Sequence, residues 1–221
     1  MAELEDIADR IRDSFDEKYQ AREKGLALSR AVIRDSANAI RAVHRGEFEQ
    51  AEQLLGKASE ALREVNAALS AHQDVYNAGF VQDAQKEYAE AGITLAIIAR
   101  RAIPDPEQLA VQYAPFLNGM GEAIGELRRH VLDTLRSGEI QRCEEILRIM
   151  DDLYAVLVTM DYPDAMTGGL RRTTDVARGI LEKTRGDLTV AIGQRQLEDT
   201  VRGFEQRLLA QTVRRQSKET T

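Results

Sequence analysis

The chain of 221 residues has few of the residues that cross-link a chain or interrupt a helix. It contains one cysteine, Cys143, four prolines and no tryptophan. A single cysteine excludes an internal disulfide and suits a reducing compartment, so we expect a cytoplasmic protein. Residues 1–6 include three acidic side chains and lack the apolar segment of a secretion signal. No window approaches the roughly 18 uncharged apolar residues of a membrane span, so we expect no membrane partner.

Basic charge is also scarce. Lysine and arginine number 30 against 37 aspartates and glutamates, which gives a formal net charge of −7. General coating of nucleic acid normally needs a basic footprint, so this composition argues against it. Residues 166–216 are an exception, because they hold ten basic and six acidic side chains. A local basic face is therefore compatible with the acidic whole.

Helix-breaking residues are confined to one part of the chain. All four prolines lie between positions 104 and 163, and proline is the strongest helix breaker. Apolar residues recur at helical spacing from Leu4 to Val43 and beyond, whereas alternating stretches typical of strands are few. We therefore predict an all-α fold. Its helices are expected at about 2–45, 48–73, 80–101, 114–136, 139–159, 168–193 and 195–215, with a short helical piece before Pro115.

These helices are predicted to form a single domain of six to seven long antiparallel helices over residues 1–215, followed by a polar tail, 216–221, that frays. The first helix would be about 65 Å long at about 1.5 Å per residue. A small bundle cannot cover that length. We therefore expect part of its apolar stripe to contact another subunit, which makes the chain a homo-oligomer.

Two pairs of glutamates are the strongest candidates for chemistry. Glu87 and Glu90 are three residues apart, and Glu122 and Glu126 are four apart, so each pair lies on one face of its helix. Four converging carboxylates would repel one another unless protons or a divalent cation compensated. Oxygen-only ligands favour Mg²⁺ or Mn²⁺ over zinc. The alternative is that these are ordinary exposed glutamates, paired by chance among 37 acidic residues.

Glycine distinguishes the second pair from an ordinary exposed helix face. Gly119, Gly121 and Gly125 share its helix, and each glycine costs about 0.8–1.0 kcal/mol in a helix interior. Three glycines in seven residues indicate close approach by another helix or by a ligand. His130 follows Glu126 by four residues and could join a metal site, although a surface or supporting position is favoured. His44 is interpreted as a helix-end residue that interacts with the helix dipole.

The segments that contain the two glutamate pairs resemble sequences of the translin superfamily, and specifically of its translin-associated factor X branch. Residues 85–91, QKEYAEA, are similar to that branch's Q-E-[FY]-x-E-A. Residues 116–129, FLNGMGEAIGELRR, are similar to its Y-L-x-G-x-x-D-x-x-G-E-L-x-R. A third segment, Leu170-Arg171-Arg172 followed by Asp175, Arg178 and Lys183, is similar to the basic helix of translin-type sequences. The resemblance covers about residues 20–195.

The resemblance implies an all-α fold of about seven helices, assembled as a hollow octamer that encloses RNA. It also implies a Mg²⁺-dependent endoribonuclease that cuts single-stranded RNA, and the oxygen ligands leave Mn²⁺ as an alternative ion. The branch's four catalytic and metal-binding acids match Glu87, Glu90, Glu122 and Glu126. The branch commonly has aspartate at the position of Glu122. Translin itself generally lacks the first pair, so this chain falls on the catalytic side.

Three arginines are candidates for binding RNA. Arg129 is favoured because it lies three residues beyond Glu126 on the same helical face, and Arg171 and Arg172 are weaker candidates. An acidic exterior with a basic inner face would suit a shell around RNA, and ordinary solvated faces are the alternative. Two other functions stay open. One is a non-catalytic shell that binds single-stranded RNA or DNA, and the other is a helical scaffold or interaction protein.

Overall fold

The computed structural model describes residues 2–219, with side chains for residues 3–208. Within that part of the chain it has nine α-helices and no strand, which confirms the all-α fold. The helices are α1 (Ala2–His44), α2 (Phe48–Leu69), α3 (Gln73–Tyr76), α4 (Gly79–Ile98), α5 (Pro106–Leu109), α6 (Tyr113–Arg136), α7 (Ile140–Val158), α8 (Asp164–Thr167) and α9 (Leu170–Glu219). None of the helices in residues 2–219 combines the length and the apolar character that a membrane span needs.

The six long helices begin and end close to where the apolar spacing predicts, with one exception. The two helices predicted at 168–193 and 195–215 are a single helix, α9. No proline follows Pro163, and Gly193 weakens the helix by only about 1 kcal/mol without removing a backbone donor. Of the tail predicted to fray, residues 216–219 continue α9, and residues 220–221 lie outside the described residues.

One hydrophobic core draws side chains from all six long helices. Its fully buried members include Val32, Leu62, Ile93, Ile124, Ile146 and Leu181. Short turns join α1 to α2 and α6 to α7, so that each of these pairs packs antiparallel. α1 stops at Gly46 with a φ of +76°, and Gly138 with a φ of +80° follows α6. Both conformations favour glycine because it has no Cβ. Cys143 is a buried free thiol in this core.

The first half of α1 extends beyond the core and carries an apolar stripe. Leu4, Ile7, Ile11, Phe15 and Tyr19 recur every three or four residues, and Phe15 is 64% exposed. A hydrophobic stripe of this kind on a helix is ordinarily covered by another element. The exposed stripe supports the expectation that part of α1 contacts another copy of the chain.

α4 and α6 approach each other most closely at Gly119. A Cβ built on Gly119 would lie 2.6 Å from the backbone oxygen of Lys86 and 2.9 Å from the backbone nitrogen of Glu90. On the next face of α6, a Cβ at Gly121 would overlap the side chain of Thr173 on α9. These contacts confirm that glycines of α6 permit close approach by other helices. They also place α4 and the start of α9 against α6 within one turn of Glu122.

Gly119→Ala is expected to destabilise the protein, because the added methyl group meets backbone atoms of α4 that cannot move independently. We expect a loss of about 1–3 kcal/mol in the free energy of unfolding, measured by denaturant titration. Gly56→Ala is the matched control, since a Cβ there meets nothing within 4 Å. That variant should gain up to about 1 kcal/mol from helix propensity. Equal gains in both variants would contradict the close approach of α4 and α6.

Candidate metal centre between α4 and α6

Three of the four glutamates highlighted by the sequence converge between α4 and α6. Glu87 and Glu90 come from α4, and Glu122 comes from α6, one turn after Gly119. One carboxylate oxygen from each residue lies within 4.8 Å of the other two. The side chain of Glu122 is longer than the aspartate expected from the resemblance, and it reaches the other two glutamates. We call Glu87, Glu90 and Glu122 the carboxylate cluster.

Glu90 is the most buried member of the cluster, with 8% of its surface exposed. The pKa of Glu90 is raised to about 8. Burial is the largest cause, and the charges of Glu87, Glu122 and Glu126 add to it. Burial also raises the pKa of Glu87, although the charge of Lys86 opposes this effect. A desolvated carboxyl group among other carboxylates favours its neutral form. The cluster therefore retains a proton near neutral pH unless a cation compensates its charge.

Glu126 lies beside the carboxylate cluster but has a different partner. His44 donates from Nε2 to Glu126 Oε2 over 2.5 Å, and the His44 side chain is only 5% exposed. This hydrogen bond lowers the pKa of Glu126, against the opposing effect of burial. Arg129 Nη1 lies 3.8 Å from the same oxygen. Glu126 is therefore held ionised outside the cluster, near enough to raise the pKa of Glu90.

Lys86 is a member of the site that the sequence did not single out. Its Nζ donates to Glu122 Oε1 over 2.8 Å and lies 3.7 Å from Glu87 Oε1. Burial disfavours the charged form of Lys86, but the hydrogen bond to Glu122 and the nearby acidic charges outweigh it and raise its pKa. Lys86 precedes Glu90 by four residues, so the sequence predicts that both lie on the same face of α4. The sequence does not predict its partner Glu122, because that contact joins two different helices.

The two histidines near the site differ in their contacts. His44, predicted only to interact with a helix dipole, contacts Glu126 across 82 positions of sequence, which no local pattern could reveal. The His130 ring is half-buried, with its centroid 6.4 Å from that of His44. Among the described residues, His130 is not part of the group of side chains that could jointly hold a metal ion. A supporting position for His130 therefore stays a prediction.

A cavity of about 760 Å³ lies next to the carboxylate cluster, between α4, α6 and the start of α9. Asn118 fixes the start of α9 there, since its amide donates to the Thr167 carbonyl over 2.8 Å and its Oδ1 accepts from Thr173 over 2.7 Å. The charged side chains that line the cavity are Asp83, Lys86, Glu90, Glu122, Asp164 and Arg172. Carboxylates outnumber cations in this lining, so a bound anion would need an additional cation.

The three arginines predicted to bind RNA lie in different surroundings. Arg172 lines the cavity beside the carboxylate cluster. Arg129 lies next to Glu126, and its side chain is 57% exposed. Arg171 is 80% exposed and has Asp161 3.5 Å away. Arg172, rather than Arg129, is therefore the arginine that shares a cavity with the cluster.

A scan against models of protein families finds no match. The chain is 32% identical over 184 residues to an uncharacterised protein of Methanocaldococcus jannaschii, which covers 82% of this chain and 81% of that protein. Two structures of C3PO, the translin and translin-associated factor X complex, from Archaeoglobus are 34% identical and cover 86% of this chain and 98% of theirs. Their TM-scores are 0.75, for a complex with duplex RNA, and 0.77. The chain belongs to the translin superfamily.

A more distant structure shows how far the translin fold extends. Apo C3PO from Nematostella is 20% identical to the chain, with a TM-score of 0.76 over 83% of this chain and 96% of that one. At this identity the likeness shows the fold alone. The all-α arrangement of this translin-superfamily chain is thus retained where most side chains have changed.

The stability of the metal-free protein should depend on pH through Glu90. Its folded pKa of about 8 exceeds the ordinary value of 4.5, so the folded state binds the proton more tightly. Glu90 therefore contributes stability that is present below pH 4.5 and is lost as the pH rises through about 8. Glu90→Gln should remove this dependence and raise the melting temperature above about pH 8 by several degrees, since 1 kcal/mol corresponds to roughly 2–4 °C here.

Thermal unfolding in a chelator, from about pH 5 to pH 9, measures this effect. Glu64→Gln is the control, because Glu64 is exposed on α2, and it should keep the wild-type pH dependence. An unchanged pH profile in Glu90→Gln would show that Glu90 titrates as an exposed glutamate does.

Proposed function

We propose that this chain is a Mg²⁺-dependent endoribonuclease of the translin-associated factor X type, with Glu87, Glu90, Glu122 and Glu126 as its catalytic residues and the first three of them as the ligands of the cation. The observation that carries the proposal is the convergence of three carboxylates from two helices beside a large cavity. Chance pairs of surface glutamates would have no reason to meet in this way. The Archaeoglobus relatives, among them a complex with duplex RNA, support the class of substrate.

The donor atoms of the cluster fit Mg²⁺ or Mn²⁺. All three ligands offer carboxylate oxygen, which hard cations prefer, and the described group contains neither cysteine nor histidine. The pKa of Glu90 is raised first by burial and then by the charges of the neighbouring carboxylates, so a cation beside it would favour its ionised form. Lys86 already places one positive charge against Glu122. A divalent cation would replace both the proton and the ammonium group as the compensating charge.

Each residue has a distinct part in the proposed reaction. When bound, Mg²⁺ supplies a Lewis acid for the phosphodiester and lowers the pKa of a coordinated water. Glu87 and Glu122 would hold the cation from α4 and α6, and Glu90, once ionised by loss of its proton to solvent, would be the third ligand. Glu126 stays ionised through its hydrogen bond to His44 and adds negative charge next to Glu90.

The cavity offers a place for the RNA backbone. Arg172 of α9 lines it together with Glu90 and Glu122 of the carboxylate cluster, and guanidinium groups bind phosphate in bidentate fashion. We infer that the phosphodiester lies between Arg172 and the cluster, with single-stranded RNA as the substrate to be cut. We further infer a shell of several copies, eight by resemblance, to which the exposed stripe of α1 contributes.

One observation favours a second candidate, a non-catalytic shell that binds single-stranded RNA or DNA. Lys86 neutralises part of the cluster without any metal, because it donates to Glu122 over 2.8 Å. In that case the glutamates would serve only to hold Lys86 and the two helices. Metal-dependent cleavage distinguishes the two candidates.

Glu122→Gln should abolish cleavage, because it removes a charged ligand while preserving side-chain length. We expect the rate of cutting to fall at least about a hundredfold in Mg²⁺. The assay uses one RNA sequence in single-stranded and duplex form, with and without a chelator. Glu64→Gln, an exposed change on α2, should cut at the wild-type rate. Equal rates for Glu122→Gln and wild type, with both proteins folded, would contradict the site.

Arg172→Gln should weaken RNA binding, because the side chain faces the cavity beside the cluster. Loss of one phosphate contact lowers the slope of log affinity against log salt concentration by about 1. Fluorescence anisotropy with labelled RNA at several salt concentrations measures both effects. Arg63→Gln, on the exposed face of α2, is the matched control. The same affinity and slope in both variants would place the RNA elsewhere.

A further inference from the structure

We propose that Lys86 is the counter-cation of the metal-free carboxylate cluster, and that a divalent ion binds only by displacing the Lys86 ammonium group from Glu122. This inference rests on the proposed function, because it assumes that the cluster takes a metal ion. It concerns metal affinity rather than the chemical step, and it assigns a role to a residue that is not itself a ligand.

The position of the ammonium group carries the inference. Lys86 Nζ lies 2.8 Å from Glu122 Oε1, and 3.7 Å from Glu87 Oε1. These are two of the three glutamates whose oxygens lie within 4.8 Å of one another. A cation held by these carboxylates would therefore share Glu122 with the ammonium group at short range. Two positive charges so close in a half-buried site repel strongly, because salt and water screen them poorly.

The Lys86 side chain also has space to move away from Glu122. It lines the cavity of about 760 Å³, so the ammonium group can turn away from Glu122 without movement of α4. A lysine has a flexible four-carbon stem and a compact charge. The backbone of Lys86, by contrast, is fixed against Gly119 of α6. Exchange of lysine for metal thus requires only a side-chain rotation at an otherwise rigid contact between two helices.

Neutralising Lys86 should therefore increase metal affinity. Lys86→Met removes the charge, and Lys86→Gln does so with a different shape, so the result does not depend on one side chain's packing. We expect both variants to bind Mn²⁺ at least about tenfold more tightly than wild type, a difference of about 1.4 kcal/mol. Lys86→Arg, which keeps the charge, should not show this gain. Lys57→Met, an exposed lysine on α2, should bind as wild type does.

The experiment titrates Mn²⁺ alone into chelator-treated, full-length protein. Calorimetry gives the affinity, and electron paramagnetic resonance of free Mn²⁺ gives an independent measure. Circular dichroism verifies that each variant is folded. Tighter binding in both neutral variants, and not in Lys86→Arg or Lys57→Met, supports the inference.

Two other results would overturn the inference, and they have different meanings. If wild type binds Mn²⁺ and the neutral variants bind no more tightly, Lys86 does not compete with the metal, while the proposed function stands. If neither wild type nor the neutral variants bind Mn²⁺, the carboxylate cluster is not a metal site, and the proposed function fails together with the inference.

Discussion

The close contact of α4 and α6 at Gly119 is the constraint on which the site depends. Because Gly119 has no side chain, the backbone of α6 lies against that of α4 between Lys86 and Glu90. Glutamates one turn away on the facing surfaces are thereby brought together. Gly121 has the equivalent effect toward Thr173, which brings the start of α9 and Arg172 to the same cavity. These glycines weaken α6 as a helix, but because they have no side chain they allow charged groups from three helices to come together.

That packing concentrates negative charge in a half-buried space, and the protein compensates it in three ways. Glu90 takes up a proton, as its pKa of about 8 indicates. Glu122 accepts a hydrogen bond from Lys86, and Glu126 accepts one from His44. A divalent ion bound as proposed would compensate the same negative charge. The proposed metal binding would therefore be linked to the protonation of Glu90 and to the position of Lys86.

Most of the fold and part of the site were predictable from local patterns. The proline-free stretches and the apolar spacing predicted the long helices, and the glycine stop at Gly46 is confirmed by its positive φ. The break near Gly193 was wrong, because a glycine inside a helix and a glycine that ends one look alike in sequence. The pairing of Glu87 with Glu90 followed from helical periodicity. The separation of Glu126 from the cluster could not be predicted in this way, because it depends on the contact with His44 of α1.

Helical periodicity acts between residues three or four positions apart, so it is contained in the sequence. It established the helical class, the long first helix and the faces on which the glutamates lie. The partners of those faces are set by contacts between positions tens of residues apart, such as Lys86 with Glu122 and His44 with Glu126. The pKa of Glu90 depends on those distances and on burial. These properties arise only when the helices pack, because packing alone brings distant charges together and removes water from them.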